Sequence, residues 1–244
     1  MNVLIIGLGT AGRYYLNILR SFPKVKKIFI IDKIKHPNSL DYNQIEFNSE
    51  TLKKNKIHYA IVSTPSGSHF RYALKLIENS INVLIEKPFV LNLFEAKRLI
   101  MKTKRKKIKC WVVFQNRYNL AIKKLKKIIK INLLGKIFLI DCSLIWKRDK
   151  KYYQNPWRGK YRSDGGVLSN QAIHLLDAVI FIFGRIKRFS SILGYNKKKL
   201  EAEDLAVINM LHENGIITSF KATTRADSNY RSAMDVIGEN GRVL

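Results

Sequence analysis

Two short stretches put residues able to do chemistry at the ends of apolar runs. VLIEKPF, residues 83–89, closes an apolar run with Glu86, Lys87 and Pro88. The run reads as a buried strand, and a turn alone needs no lysine at its tip. GLGTAG, residues 7–12, is a G-x-G-x-x-G spacing that follows one apolar run and opens a helical one. In that context Gly7 allows a tight turn and Gly9 lets a pyrophosphate approach. Thr10 and Ala11 complete the loop, and Gly12 permits close packing of helix on strand. The phosphate charge is expected at the helix N-terminus, where free N–H groups point outward.

Asp32 ends the next apolar run, 20 residues after Gly12. A carboxylate there accepts hydrogen bonds from both ribose hydroxyls of an adenosine and repels a 2′-phosphate. NAD is therefore favoured, while Lys33 and Lys35 leave NADP open. A glycine turn with a helix-capping Asp is the plainer alternative. STPSGSH, residues 63–69, follows a further apolar run. Ser63, Thr64 and Pro65 are placed to line the cofactor, Ser66 to cap the following helix, and His69 sits in that helix's first turn. Lys87 projects into the same crevice. A lysine beside a cationic cofactor and a sugar hydroxyl has its pKa lowered enough to move protons. Pro88 limits the geometry of Glu86–Lys87 and so fixes the lysine's direction.

The elements that must hold these residues alternate. NVLIIG, KKIFIID, HYAIVS, NVLIE and KCWVVF read as strands, and GTAGRYYLNILRSF, SGSHFRYALKLIEN and FEAKRLIMKTK as helices. The strands are apolar on both faces, which predicts a doubly wound parallel sheet covered by helices on both sides. Residues 33–56 read as polar and irregular, with a turn at HPNS and a short strand at QIEF.

After about residue 118 strands follow strands. A basic helix over 119–132 precedes a long strand, KIFLIDCSLIWKRD, and a loop, KYYQNPWRGKYRSDGG. One continuous apolar helix is expected over VLSNQAIHLLDAVIFIF. The runs IKRFSSILGY, LAVINMLHE and IITSFKATTR follow, with a hairpin at ENG, and then AMDVIGENGRVL with the same signal. The expected organisation is a dinucleotide-binding domain over 1–118 and an α+β domain with a largely antiparallel open sheet over 119–244. On the apolar helix Asn170 and His174 stand at i and i+4, and Asp177 lies close to their face. Ser169, Asn170 and Gln171 supply polar groups at the end nearest Gly165–Gly166.

The 244 residues have 46% hydrophobic content, enough for a real core. No run approaches the ~18–20 apolar residues of a membrane helix, and the start has neither the basic region nor the apolar length of a signal peptide. Cys110 and Cys142 read as buried thiols in a reducing cytoplasm. No metal site is expected. The formal charge is +27, from 45 basic and 18 acidic residues. Basic residues concentrate in KTKRKKIK (102–109) and KKLKKIIK (123–130), but the latter has Ile and Leu at helical spacing, so its lysines read as a solvated face. General lysine enrichment is favoured over a nucleic-acid surface, and the field still draws in small anions.

GLGTAG, STPSGSH, EKPF and FQNRYN, in this order and spacing, resemble the glucose–fructose oxidoreductase/inositol dehydrogenase family. The likeness continues through WRG…SDGGVLSNQAIHLLD (157–177) and EDLAVINMLHENG (203–215), essentially the whole chain. EKP with the GG…H-x-x-D helix is specific; the glycine motif is not. The resemblance implies a Rossmann domain, an α/β domain whose open sheet mediates homo-oligomer contacts, NAD(P), and a small sugar-like substrate oxidised or reduced at a secondary carbon. It implies that Lys87 and His174 bracket the reacting carbon, with His174 the proton acceptor and Lys87 orienting the hydroxyl. Gln115, Asn116 and Arg117 then lie near the nicotinamide, and Pro88 follows a cis bond. Many relatives carry Asp where this chain has Asn170, and the NQ-x-x-H variant resembles members that act on nucleotide sugars, pointing to a UDP-sugar handled at C3. Tyr152, Tyr153, Trp157 and Arg158 then stack on a base or grip phosphate, or Trp157 anchors the loop. Relatives also run past Leu244, so the chain reads as C-terminally short. Two rival readings are a non-catalytic dinucleotide sensor of the same fold and, last, a nucleic-acid-binding protein.

Overall fold

The computed structural model describes residues 1–36, 42–196 and 200–244. The chain divides into two compact units, Met1–Val113 and Phe114–Leu244. The first unit runs β1 (Asn2–Ile6), α1 (Thr10–Arg20), β2 (Lys27–Ile31), β3 (Asn43–Gln44), α2 (Ser49–Lys54), β4 (Ile57–Val62), α3 (His69–Glu78), β5 (Asn82–Ile85), α4 (Leu93–Lys106) and β6 (Cys110–Val112). Its six strands lie in the order β3-β2-β1-β4-β5-β6, and every pair is parallel.

The strands read as continuous apolar runs because both faces are buried. Leu4 and Ile6 of β1 face a core with Leu76 and Ile77 of α3, while Ile5 packs with Leu16 of α1 and Ile30 of β2. Fully burying each such side chain contributes roughly 1.5–3 kcal/mol. The chain starts at the centre of the sheet, winds outward to β3, and returns to β4. The sequence order therefore reverses between β1 and β4, and in such sheets ligands bind outside the strand C-termini at that point.

Two expectations for residues 33–56 need correction. Among the described residues of this segment only Asn43 and Gln44 form a strand, so the run at QIEF contributes its first residue to it, and Ile45 N–H adds a bond to Ile30 O at 2.9 Å. Residues 49–54, read as irregular, form α2, whose first turn is capped by Asn48 accepting from Thr51 N at 2.7 Å. With Leu52 its one buried residue, α2 lacked apolar periodicity. The turn at HPNS falls, from Pro37 on, outside the described residues.

The second unit contains α5 (Leu120–Lys130), β7 (Ile137–Ile145), α6 (Lys150–Tyr153), α7 (Val167–Asn170), α8 (Ile173–Phe183), β8 (Ile186–Gly194), β9 (Leu205–His212), β10 (Ile217–Thr223), β11 (Arg231–Gly238) and β12 (Gly241–Val243). Its sheet has the order β12-β11-β7-β10-β9-β8. All pairs are antiparallel except β7 with β10. One face carries the core: Val179 and Phe183 of α8 pack with Ile140, Cys142, Ala206, Phe220 and Val236. The other face is exposed, with Val207 and Ile217 on it. The lysines of α5 point to solvent while Leu125 is buried.

The single helix expected over 167–183 is broken at Gln171–Ala172. Ala172 N–H donates to Val167 O, five residues back, and Leu175 N–H donates to Ala172 O, three residues back. The widened turn ends α7 before α8 begins, so the i, i+4 argument linking Asn170 to His174 does not hold along one helix. Among the described residues, no helix is long and apolar enough to cross a membrane.

Candidate active site

The glycine turn has the geometry its spacing demanded. Gly7 lies at φ +89° and its N–H donates to Ile31 O at 2.8 Å. A Cβ at Gly7 would stand 2.9 Å from Ser63 O, and one at Gly12 would fall inside the contact radius of Gly7 O. At Gly9 an added Cβ meets nothing within 4 Å. Thr10 and Ala11 open α1, which has no side-chain cap and no acidic residue in its first turn. The first-turn N–H groups are thus open to an anion.

Asp32 is fixed beside this turn. Its Oδ2 accepts from Leu8 N at 2.5 Å and its Oδ1 from Ile34 N at 2.9 Å, with His36 Nε2 3.8 Å from Oδ2. Burial pushes its pKa up, but the Ile34 and Leu8 N–H groups and His36 outweigh this and hold the carboxyl below its ordinary value. Each oxygen retains a lone pair for a hydroxyl. Lys33 and Lys35 are exposed next to it.

The loops after β4 and β5 are tied to each other and to the glycine turn. Ser63 N donates to Ile6 O at 2.9 Å, and its Oγ donates to Gly7 O at 2.8 Å. The cap expected from Ser66 is not made. Ser66 is buried in a tight turn over 66–68, and Ser68 Oγ contacts Thr64 Oγ1 and Pro65 O, each at 2.7 Å. His69 is 1% exposed. Its Nδ1 is 2.8 Å from Pro88 O and its Nε2 2.9 Å from Thr64 O, so the ring spans both strand-end loops. Burial lowers its pKa.

At the end of β5, Tyr15 of α1 donates its hydroxyl to Glu86 Oε1, and Lys87 N donates to Glu86 Oε2 at 3.1 Å. Burial, with the Glu86 bond, pushes the Tyr15 pKa well above its usual value. Lys87–Pro88 is a cis peptide. Half-buried Lys87 thus follows a turn held on three sides, by Glu86, Tyr15 and His69. Tyr15 had no signal in the sequence, because its partner lies 71 residues away.

The second unit gathers the other candidates. Gln115 lies in a tight turn over 115–118, and its Nε2 is 3.4 Å from His174 Nε2. The Phe114 ring stands edge-on to His174, with centroids 6.2 Å apart. Arg117 is bidentate to Asp177, at 2.8 and 2.6 Å, and its guanidinium lies over Phe114 and Phe181. That hydrogen bonding raises its pKa. Arg117 thereby clamps the 115–118 turn to α8, and Asp177 serves that clamp.

A denser cluster forms around the 151–166 loop. Arg158 Nη1 donates to Tyr152 Oη at 2.5 Å and lies 3.3 Å from Asp164 Oδ1. Its guanidinium lies 3.9 Å from the Trp157 ring centroid and 4.4 Å from that of Tyr152. Gln171 Nε2 donates to Tyr152 Oη at 3.0 Å. Tyr153 Oη contacts Thr224 Oγ1 at 3.1 Å. Asp164, buried, also accepts from Gly159 N at 2.9 Å and from the Asn170 amide nitrogen. Tyr152, Trp157, Arg158, Asn170 and Gln171 are therefore brought together, around a carboxylate the sequence did not single out. Gly166 precedes α7 because any Cβ there would overlap the carboxylate of buried Glu203. Burial raises the Glu203 pKa. Cys110 and Cys142 are free thiols, which burial pushes up to about 11 and about 12.

Comparison with known proteins agrees with this division. Residues 1–114 match the oxidoreductase family with an NAD-binding Rossmann fold, and residues 122–244 match the GFO/IDH/MocA C-terminal domain. An oxidoreductase of Formosa agariphila is 28% identical over 174 residues, which cover 69% of this chain and 54% of that protein. The chain thus spans about half the length of that relative. The scyllo-inositol 2-dehydrogenase (NAD(+)) of Bacillus subtilis is 22% identical over 254 residues, covering 98% of this chain and 72% of that one. Among solved structures, the WlbA dehydrogenase from Bordetella pertussis, in complex with NADH and UDP-GlcNAcA, superposes with a TM-score of 0.91 at 24% identity. That likeness covers 99% of this chain and 72% of that one, and it establishes the fold. With both of its units matched, the chain belongs to the GFO/IDH/MocA oxidoreductase family.

Proposed function

We propose that this protein is an NAD-dependent oxidoreductase that moves a hydride between the nicotinamide and a secondary alcohol carbon of a sugar, with a UDP-sugar, handled at C3, the favoured substrate. The observation that carries the reading is the end of β5. There Lys87 follows the strand one place beyond β4, which borders the chain reversal, on a turn pinned by Glu86, Tyr15 and His69. A positioned ammonium there orients a hydroxyl and assists its proton transfer.

The chain's own residues fit a dinucleotide. The open space at Gly9 and the uncapped start of α1 suit a pyrophosphate, and the fixed Asp32 carboxylate suits an adenosine ribose. Thr64 and Pro65 line the neighbouring strand end. When bound, the nicotinamide supplies hydride acceptance or donation. His174, steadied by Gln115 and Phe114, is the proposed proton acceptor. NADP is disfavoured by the Asp32 charge, with Lys33 and Lys35 the residues that counter it.

The UDP-sugar assignment draws support from the Tyr152, Trp157, Arg158 and Gln171 cluster and from the WlbA structure, which holds UDP-GlcNAcA. The exposed sheet face of the second unit supports homo-oligomer contacts, and the unpaired thiols a cytoplasmic setting. Titration of nicotinamide fluorescence with NADH and NADPH, followed by absorbance assays on UDP-sugars and inositols, tests the reading. Saturable, NADH-preferring binding with turnover supports it. Binding without turnover on any sugar overturns it in favour of a sensor.

A further inference from the structure

Arg148, just beyond β7, is a cation whose partners do not account for it. Its Nη1 donates to Lys147 O at 2.8 Å, while its Nε is buried and, among the described residues, has no hydrogen-bond partner. Its guanidinium lies over two rings, 4.9 Å from the Trp146 centroid and 5.2 Å from that of Tyr152. Tyr152 is also the ring under Arg158, at 4.4 Å. Two guanidinium groups therefore share one aromatic ring.

The nearby carboxylates are committed elsewhere. Asp164 is held by Arg158, Gly159 N–H and Asn170, and Asp204 is paired with Arg225 at 2.5 Å. Asp149, exposed, accepts from Tyr152 N at 3.0 Å. Among the described residues none forms an ion pair with Arg148. Lys147, Lys150 and Lys151 add positive charge on the same segment. Two like charges on one ring, one with a dehydrated N–H lacking an acceptor, form an arrangement that an oxyanion completes.

We propose that Arg148 and Arg158, whose guanidinium groups share the Tyr152 ring, form a phosphoryl-binding site for the diphosphate of the substrate, with the Arg148 Nε–H as its unfilled donor. The proposal deepens the UDP-sugar reading and rests on it. It adds Arg148 as the residue that separates phosphorylated substrates from neutral sugars.

The test is calorimetric titration of the full chain, saturated with NADH so that the glycine loop is filled, with UDP, inorganic pyrophosphate and uridine. Wild type is expected to bind UDP and pyrophosphate, with uridine at least tenfold weaker than UDP. Arg148→Gln should weaken UDP and pyrophosphate at least tenfold and leave NADH affinity unchanged. Arg148→Lys keeps the charge but lacks the Nε–H, and should still lose about tenfold for pyrophosphate; it serves should the glutamine variant not fold. Variants that bind both anions like wild type overturn the role of Arg148 and leave the UDP-sugar reading intact. Wild type that binds neither anion overturns both the site and the UDP-sugar reading, while activity on neutral sugars is then judged separately by absorbance. Pyrophosphate binding without UDP binding supports the oxyanion site and removes the nucleotide.

Discussion

Replacing Gly9 and Gly12 by alanine, one at a time, should separate the two jobs of the glycine turn. At Gly9, φ −71° and ψ −161° suit alanine, and the added Cβ meets nothing within 4 Å. Stability should therefore change by no more than about 0.5 kcal/mol. The methyl group would occupy the space through which a pyrophosphate reaches the first-turn N–H groups of α1. Losing one charge-assisted hydrogen bond there costs about 1.5–3 kcal/mol, which raises the NADH dissociation constant about 10- to 150-fold. At Gly12 the Cβ collides with the carbonyl of Gly7, itself packed on Ser63. Overpacking of this kind costs about 1–3 kcal/mol, and each kcal/mol lowers the melting midpoint of the Met1–Val113 unit by about 4 °C. Fluorescence titration and thermal denaturation on the same samples read both quantities. Gly9→Ala should lose affinity and keep its midpoint, whereas Gly12→Ala should lose both. Wild-type NADH affinity in Gly9→Ala would refute the placement of the pyrophosphate.

Three further outcomes follow from the contacts described above. Asp32→Asn should move cofactor preference from NADH toward NADPH, measured as the ratio of dissociation constants. Because the Asp32 pKa is held below its ordinary 3.8, its stabilisation is complete above that pH and is lost as pH falls through the lower folded value; melting curves of the variant should accordingly be flatter than wild type below about pH 4. His69→Phe removes the one N–H that the neutral ring can give to the Thr64 or the Pro88 carbonyl and should cost about 1–3 kcal/mol in chemical denaturation, an unchanged midpoint counting against the clasp. Asn170→Asp sets a second carboxylate against Asp164, so one of the pair holds its proton to higher pH than in the unfolded chain. The variant should be less stable than wild type by about 1.5–3 kcal/mol at neutral pH and recover as pH falls through the carboxylate range.

The Rossmann unit was legible because its strands are buried on both faces. Ile5 and Ile6 face different cores, and that geometry alone writes an uninterrupted apolar run. The glycine motif was legible for a similar reason, since steric exclusion at Gly7 and Gly12 leaves only one residue type. Helix α2 was not, because a surface helix with one buried leucine carries no period to read. The break at Gln171–Ala172 escaped because 167–183 is apolar enough to suit either path, and side-chain partners decide between them: Asn170 turns to Asp164 and Gln171 to Tyr152. The parallel pairing of β7 with β10 is likewise a long-range fact, invisible in local pattern. Arg117 was legible as a functional-looking arginine, but its bidentate partner 60 residues on was not. Arg148 carried no motif, and its interest lies wholly in an unfilled donor that only coordinates reveal.

The proposed hydride transfer depends on Lys87. The most direct measurement is nicotinamide absorbance on mixing the NAD-saturated chain with UDP-GlcNAcA, beside other UDP-sugars and inositols, for wild type and Lys87→Ala. Wild type should reduce NAD, and the variant should lose about 10²–10⁴ in turnover with NADH affinity little changed. A wild-type chain that binds NADH yet reduces NAD with none of these compounds, or a variant that loses affinity and turnover equally, would contradict it.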